Sequence, residues 1–356
     1  MNKRKVQYVQ ADFVRKISEK ADIIILLGQR SNGKSYACRQ LVLEDFVKKG
    51  KQFAYLRRWD LDAKDNNTAQ YFNDVPYISN LTGGQNTLVD VYHHDIYLSH
   101  FDDEKMKVIH DQKCGRAFGL SIAERYKSQS FPTIDNILFE EFITNQQYLN
   151  DEVAAFDHFR STIFRLRPNC KAYLIGNKLS RVNPYLREYG LVHVSQQKNG
   201  TVEYYKKGDT TVAVYMTEVL ASNNAFFGNT AKSINGGEWE TKEYQHLDNF
   251  KEFEPVYTMV VNYKGNMFLC QFGRYIDNFI DNSKGYIWYV QPKTSSIQPN
   301  TRVICDRVSS SSLYTTTLRG LTANEQYIFN LLKAGEVVFS DNLTGTEFNQ
   351  ILDYIR

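Results

Sequence analysis

The sequence predicts a parallel, three-layered α/β domain, then a small connector and an α+β domain. Three observations carry this reading. Short apolar runs alternate with helix-like stretches over the first 190 residues, a glycine-bearing loop joins the first run to the first long helix, and after about residue 195 the texture changes to alternating, hairpin-like strands. A strand covered on both faces reads as a continuous apolar run, and Ile23–Leu27 is one. The stretch Lys34–Lys49 reads as a helix with Ala37, Leu41, Phe46 and Val47 on its buried stripe, closed by Lys48, Lys49 and the C-capping Gly50. Phe53–Leu56, Asn136–Phe139 and Ala172–Ile175 read as further strands, with a helix over Glu152–Phe164 between the last two. This βαβ rhythm implies a parallel sheet. Thr201–Tyr205 and Thr211–Tyr215 flank Lys207-Gly208-Asp209 as a hairpin would, and the Asn-, Gly- and Ser-rich stretch Ala221–Gly237 reads as linker. A meander follows over Val256–Tyr263, a Lys264-Gly265 turn, Met267–Phe272 and Tyr286–Val290, and the chain from Thr322 onward reads as two helices. The expected divisions are 1–195, 196–250 and 251–356.

Composition excludes several classes. With 356 residues, 42% of them hydrophobic and 23% charged, the chain has the length of about two domains and globular composition. Its apolar runs fall well short of the ~20 residues that cross a bilayer, and Met1–Lys5 is not followed by the apolar stretch of a secretory leader. The five cysteines (Cys38, Cys114, Cys170, Cys270 and Cys305) are widely spaced, with no Cys-x-x-Cys and no histidine pair at zinc-ligand spacing. A soluble, cytosolic, reduced protein without a membrane segment is expected. Net charge is +3, but the first 60 residues carry fourteen Lys/Arg against six Asp/Glu, and His158–Arg187 has seven Lys/Arg and no acid. Such stretches fit either a solvated face or a polyanion-binding one.

Gly28-Gln29-Arg30-Ser31-Asn32-Gly33-Lys34-Ser35 matches G-x-x-x-x-G-K-[ST]. Glycines let backbone N–H groups turn inward around phosphates, and the following helix points its positive end at them. Lys34 would reach the β- and γ-phosphates and the Ser35 hydroxyl would ligate Mg²⁺. The position between an apolar strand and a capped helix separates this string from an accidental glycine turn. The acid pair Glu140-Glu141 ends the run that starts at Asn136. Glu140 would hold Mg²⁺ and Glu141 would polarise the attacking water as general base. Two solvated acids at a strand end is the plainer reading, and the phosphate loop argues against it. The string Gly176-Asn177-Lys178-Leu179-Ser180 lacks the Asp of a guanine-reading motif, so ATP is the expected nucleotide. Asn177 is suited to sense the γ-phosphate from a neighbouring strand, or simply to end that strand. Arg160, Arg165 and Arg167 are candidates for a guanidinium placed on the charge that develops in phosphoryl transfer; spacing alone does not choose among them, nor exclude a solvated or DNA-facing role.

The strings Leu56-Arg57-Arg58-Trp59, Tyr71-Phe72-Asn73-Asp74-Val75, Glu140-Glu141-Phe142-Ile143, Thr162-Ile163-Phe164-Arg165-Leu166-Arg167 and Asn183-Pro184-Tyr185 occur in this order. In them the chain closely resembles the DNA-packaging motor ATPases of phi-29-type small tailed phages. The resemblance is strongest from Ile23 to Tyr185 and weak but collinear in the C-terminal third. It implies a P-loop NTPase of the ASCE, RecA-like kind over 1–195, a connector with a hairpin over 196–250, and a vestigial RNase H-like nuclease over 251–356. It further implies a homopentameric ring in the host cytoplasm, docked on the portal protein of a procapsid and driving double-stranded DNA inward. Docking through a packaging RNA or on the portal directly stays open. By position, Arg165 matches the trans-acting arginine finger, Lys127 a second basic residue acting across the subunit interface, and Arg30 an arginine in the phosphate loop. Glu140 stands where relatives carry Asp, and Asp60 where they carry Lys. Val256–Tyr263 holds no acid, with Asn262 about where a two-metal nuclease needs one, and Asp306 is a single candidate remnant. The competing expectations are a terminase-like protein with an active nuclease and a P-loop regulatory switch.

Overall fold

The computed structural model describes residues 8–73, 78–144, 148–179, 183–191, 193–219, 239, 241–246, 253–263, 266–275, 285–293, 296–298, 300–305 and 314–354. The expected linker Ala221–Gly237, the Lys264-Gly265 turn and Asp306 lie outside them. The chain divides into two compact units, Met1–Trp239 and Glu240–Arg356.

The first unit runs α1 (Ala11–Ser18), β1 (Ile23–Gly28), α2 (Lys34–Lys49), β2 (Gln52–Arg57), α3 (Asp65–Asn73), α4 (Ile78–Leu81), β3 (Leu88–Tyr92), β4 (Asp95–Asp102), β5 (Lys107–Gly119), β6 (Ile134–Glu140), α5 (Glu152–Phe164), β7 (Lys171–Asn177), α6 (Pro184–Glu188), β8 (Thr201–Lys207) and β9 (Thr210–Met216). Among the described residues these strands form one nine-stranded sheet in the order β3-β4-β5-β2-β6-β7-β1-β9-β8. The six central strands, β5 to β9 in that order, are parallel, and an antiparallel hairpin closes each end. The apolar run of β1 has a direct cause. Ile23, Ile25 and Leu27 enter a core shared with α5 and α6, while Ile24 and Leu26 enter the core on the other face, shared with α1, α2 and α3. Each such side chain, fully buried, contributes about 1.5–3 kcal/mol.

The helix limits Lys34–Lys49 and Glu152–Phe164 agree with the sequence reading, and Gly50 closes the first of them with φ of 70°. The buried face of α2 differs in detail: Ala37, Cys38, Leu41, Val42 and Leu43 are buried, Phe46 only partly, and Val47 is exposed. At about 100° per residue Val47 points roughly 150° away from the centre of the face formed by Ala37, Cys38, Leu41 and Val42, which is why a stripe drawn through it misses the core. The division at 195 is also corrected. The hairpin expected in a connector extends the main sheet, because β9 pairs in parallel with β1 from Ile23–Val212 to Leu27–Met216. Residues 88–119, which no run or motif singled out, supply β3 to β5.

The second unit has the expected α+β character. Its strands are β10 (Phe253–Tyr263), β11 (Asn266–Tyr275), β12 (Tyr286–Pro292), β13 (Arg302–Cys305), β14 (Thr315–Thr316) and β15 (Val337–Phe339), with helices α7 (Ala323–Lys333) and α8 (Asn342–Tyr354). The order is β14-β13-β10-β11-β12-β15, in which β10–β11–β12 is an antiparallel meander and β13 and β14 run parallel to β10. A meander continued by two strands parallel to its first strand is the arrangement of an RNase H-like sheet. β15 sits beyond the meander, between the two helices that the sequence reading joined directly.

Candidate functional site

The glycine loop turns between β1 and α2 at the C-terminal edge of the parallel strands, where open α/β sheets bind ligands. Gly33 caps α2 with φ of 89°, a conformation that costs glycine nothing. Gly28 is needed for space: a Cβ there would lie 1.8 Å from Thr217 Oγ1. Thr217, just past β9, explains that proximity. Its amide donates to Leu27 O at 2.8 Å, its hydroxyl to the same carbonyl at 3.1 Å, and its oxygen accepts from Asn32 Nδ2. Val9 N–H donates to Asn32 O at 3.0 Å, so the segment before α1 braces the loop from outside.

A cavity of about 690 Å³ opens above the loop, lined among others by Arg30, Gly33, Lys34, Ser35, Glu140, Glu141 and Asn177. Of the residues assigned to the phosphate and metal site, only Gly28 is not on its wall; it shapes the loop from behind. Lys34 is buried, and its ammonium donates to Gln29 O at 2.6 Å, Asn32 Oδ1 at 3.1 Å and Asn177 Oδ1 at 3.2 Å. Burial lowers its pKa to about 8, against the pull of the Glu140 charge. Asn177 reaches it because the last residue of β7 pairs with Gly28 at the end of β1.

Glu140 ends β6 and is buried, which raises its pKa. Hydrogen bonds from Ser35 and Tyr71, and the charge of Arg57, oppose that rise, while Glu141 adds to it. Tyr71 Oη donates to Glu140 Oε1 at 2.7 Å, and the Tyr71 ring lies 4.5 Å under the Arg39 guanidinium. Burial and the Glu140 charge keep the Tyr71 phenol far above its usual pKa, so it remains a donor. Ser35 and Glu140 are a hydroxyl and a carboxylate side by side, the hard oxygen donors that Mg²⁺ takes alongside phosphate oxygens and water. Glu141 is a different kind of residue. Its side chain is largely exposed, its φ is 56°, and Arg57 Nη2 donates to its Oε2 at 2.7 Å.

None of Lys127, Arg160, Arg165 and Arg167 is on the wall of this cavity. Arg167 is a staple: it pairs with Asp135 and donates to the carbonyls of Phe131, Pro132, Ile134, Ile163 and Phe164. Arg160 faces Asp157 at 3.4 Å. Arg165 caps α5 in the left-handed region with φ of 43° and is exposed; its amide donates to Ser161 O at 2.9 Å, and its guanidinium donates to Gln129 O at 2.5 Å. Gln129 is two residues from Lys127, which is itself paired with Glu124 at 2.5 Å. Sequence reasoning left Tyr71, Arg57 and Arg58 without roles and passed over Arg39 and Thr217. Only the Arg57-Arg58 pair at the end of an apolar run was a usable signal.

The sheet, the phosphate loop and the paired acids define a protein of the P-loop NTPase class. More narrowly, the chain belongs to the family of the Podovirus DNA encapsidation protein (Gp16), whose profile matches residues 12–207. It is 31% identical over 176 residues to the DNA packaging protein of Bacillus phage B103, covering 47% of each chain. To the DNA packaging protein of Bacillus phage phi29 it is 32% identical over 177 residues, 47% of this chain and 46% of that one. The chain thus spans about half the length of the relatives it matches. Among solved structures, it resembles a chain of the bacteriophage Phi-29 viral genome packaging motor assembly, with TM-score 0.59, 19% identity and coverage of 98% of this chain and 100% of that one. The Phi-28 gp11 DNA packaging motor gives TM-score 0.52 at 16% identity, with 99% of each chain covered. At these identities the likeness is one of fold, and it runs through both units.

Proposed function

We propose that this protein is an ATP-hydrolysing motor that moves double-stranded DNA into a preformed procapsid. The observation that carries the proposal is the convergence of Lys34, Ser35, Glu140, Glu141 and Asn177 on one cavity, in a chain of the DNA encapsidation family. Lys34 exchanges its neutral acceptors for the β- and γ-phosphates, and Asn177, released from Lys34, faces the terminal phosphate. Ser35 and Glu140 hold Mg²⁺, which when bound draws off phosphate charge. Glu141, once free of Arg57, accepts the proton of the attacking water. Arg165 and Lys127 act on a neighbouring subunit's nucleotide, a role that suits two cations off the wall of their own cavity. The second unit serves docking or DNA gripping. Among its described residues no group of three or more potential metal ligands is found. A homopentameric ring, the portal and a packaging RNA are the further parts this reading calls for.

The test is ATP turnover with and without DNA and procapsids. Both should stimulate hydrolysis; Lys34→Ala should bind no nucleotide productively, and Glu141→Gln should bind ATP yet turn over at least ~100-fold more slowly. Near-normal hydrolysis by Glu141→Gln would remove the general base from this scheme.

A further inference from the structure

Arg58 follows the last residue of β2 and is buried. Its Nε and Nη2 donate to Glu152 Oε2 and Oε1 at 2.8 and 3.0 Å. The same guanidinium donates to two backbone carbonyls, from Nη1 to Glu141 O at 3.2 Å and from Nη2 to Phe142 O at 2.6 Å. Its face lies 4.9 Å from the centroid of the Tyr148 ring. Glu152, the first residue of α5, is also buried, and it accepts from Tyr185 Oη at 2.9 Å and from Leu149 N–H at 2.9 Å. The ion pair is therefore desolvated and hydrogen-bonded on both sides.

Stability alone does not account for such a pair, since well-packed apolar side chains often serve as well or better. What the pair grips is more informative. Glu141 has φ of 56°. A non-glycine residue in that region costs about 1–3 kcal/mol and persists only where its surroundings over-determine it. Arg57 holds the carboxylate of Glu141 and Arg58 holds its carbonyl, so two consecutive residues of one strand end grip one glutamate by head and by backbone. The two grips differ in kind. The Glu141 carboxylate is largely exposed and its contact with Arg57 is a single ion pair, whereas the carbonyl grip comes from a buried guanidinium tied to a helix by the buried Glu152. The carboxylate can therefore swing while the backbone stays fixed.

We propose that Arg58 is the positioning residue of the hydrolytic glutamate: clamped to Glu152, it fixes the left-handed turn at Glu141–Phe142 and so presents the Glu141 carboxylate to the phosphate cavity. This inference rests on Glu141 as general base. Arg58→Lys keeps a cation beside Glu152 but cannot serve a carboxylate and two carbonyls from one plane. It should leave affinity for a fluorescent ATP analogue within about threefold of wild type and lower kcat by roughly 10- to 100-fold, the scale of a misplaced catalytic group. The decisive measurement is the double variant. In single-turnover assays, adding Arg58→Lys to Glu141→Gln should change the residual rate by less than about twofold, because one pathway has already been removed. Losses that multiply would mean that Arg58 acts elsewhere, and the proposal would fall. Glu152→Gln, which keeps shape and loses charge, should lower kcat in the same direction at unchanged affinity; normal turnover by that variant overturns the clamp even if Arg58→Lys does not fold. If Glu141→Gln is inactive and Arg58→Lys is normal, only the positioning role fails. If Glu141→Gln is itself active, the base assignment fails and the clamp with it.

Discussion

Lys34 is a buried ammonium whose hydrogen-bond partners, Gln29 O, Asn32 and Asn177, are all neutral. Burial outweighs the attraction of Glu140 and leaves its pKa at about 8. A bound polyphosphate favours the charged form and so raises that pKa. Between the two values binding takes up a proton, and affinity falls as pH rises, by at most ~10-fold per unit. The expected outcome is ATP affinity that is flat below about pH 8, declines above it, and shows a binding enthalpy that depends on the buffer's ionisation enthalpy. Glu140 sets the acid side with the opposite sign. If Glu140 holds Mg²⁺ as proposed, its raised pKa means that the Mg²⁺-dependent part of affinity should be lost as pH falls through that pKa, because a metal takes the carboxylate and not the acid. Isothermal titration from acid to alkaline pH with and without Mg²⁺ checks both limbs; affinity independent of pH above about 8 would show that Lys34 does not contact the phosphates.

At the scale of elements, α5 separates two arginines that the sequence could not tell apart. Arg165 and Arg167 are two residues apart beyond the same helix, yet Arg167 satisfies backbone carbonyls between Phe131 and Phe164 and pairs with Asp135, whereas Arg165 has one carbonyl and faces solvent. Arg167→Ala should cost about 2 kcal/mol or more in chemical unfolding, since several partly buried acceptors lose a charged donor. Arg165→Ala should stay within about 1 kcal/mol of wild type and lose hydrolysis instead. A stable, inactive Arg167→Ala would move the finger to Arg167. The phosphate loop, its strand and its helix were legible because local rules act there: an apolar run covered on both faces, a glycine that must be left-handed, a capped helix. The acid pair was legible by the same token, as the end of another apolar run. Tyr71, Arg58 and Thr217 were not, because each acts on a partner 69 to 190 residues away, a separation that no spacing rule records. The β8–β9 hairpin shows the same limit. Its alternation is that of any two-stranded ribbon, and only the register with β1 makes it part of the nucleotide domain.

The whole molecule combines a unit that carries the phosphate-loop cavity, with Arg165 and Lys127 off its wall, and a second unit built on a six-stranded sheet. On β10 the residues from Val256 to Tyr263 include no acid, so the 356-residue chain with Mg²⁺ or Mn²⁺ should leave supercoiled DNA intact. Nicking that disappears in Asp306→Ala would instead establish an active nuclease. The placement of Arg165 and Lys127 makes a sharper demand. Neither lines the cavity that Lys34 and Glu141 line, whose own guanidiniums are Arg30, Arg39 and Arg57, so the proposed finger can act only on a neighbour's nucleotide. A finger of this kind accelerates hydrolysis by ~10³–10⁵-fold, about 4–7 kcal/mol of transition-state stabilisation. Arg165→Ala should accordingly bind ATP nearly as wild type and turn it over very slowly. Such a subunit keeps its own phosphate loop and acids, while a Glu141→Gln subunit keeps its finger. When the two inactive proteins are mixed under conditions that assemble the ring, each Arg165→Ala subunit seated against a Glu141→Gln neighbour's finger should regain turnover that neither parent has. With the two variants at equal proportion and random seating, about half of the Arg165→Ala subunits should be so placed, and activity should peak near that ratio. Activity that never exceeds the sum of the parents, in rings verified by mass, would mean that Arg165 serves its own subunit or none.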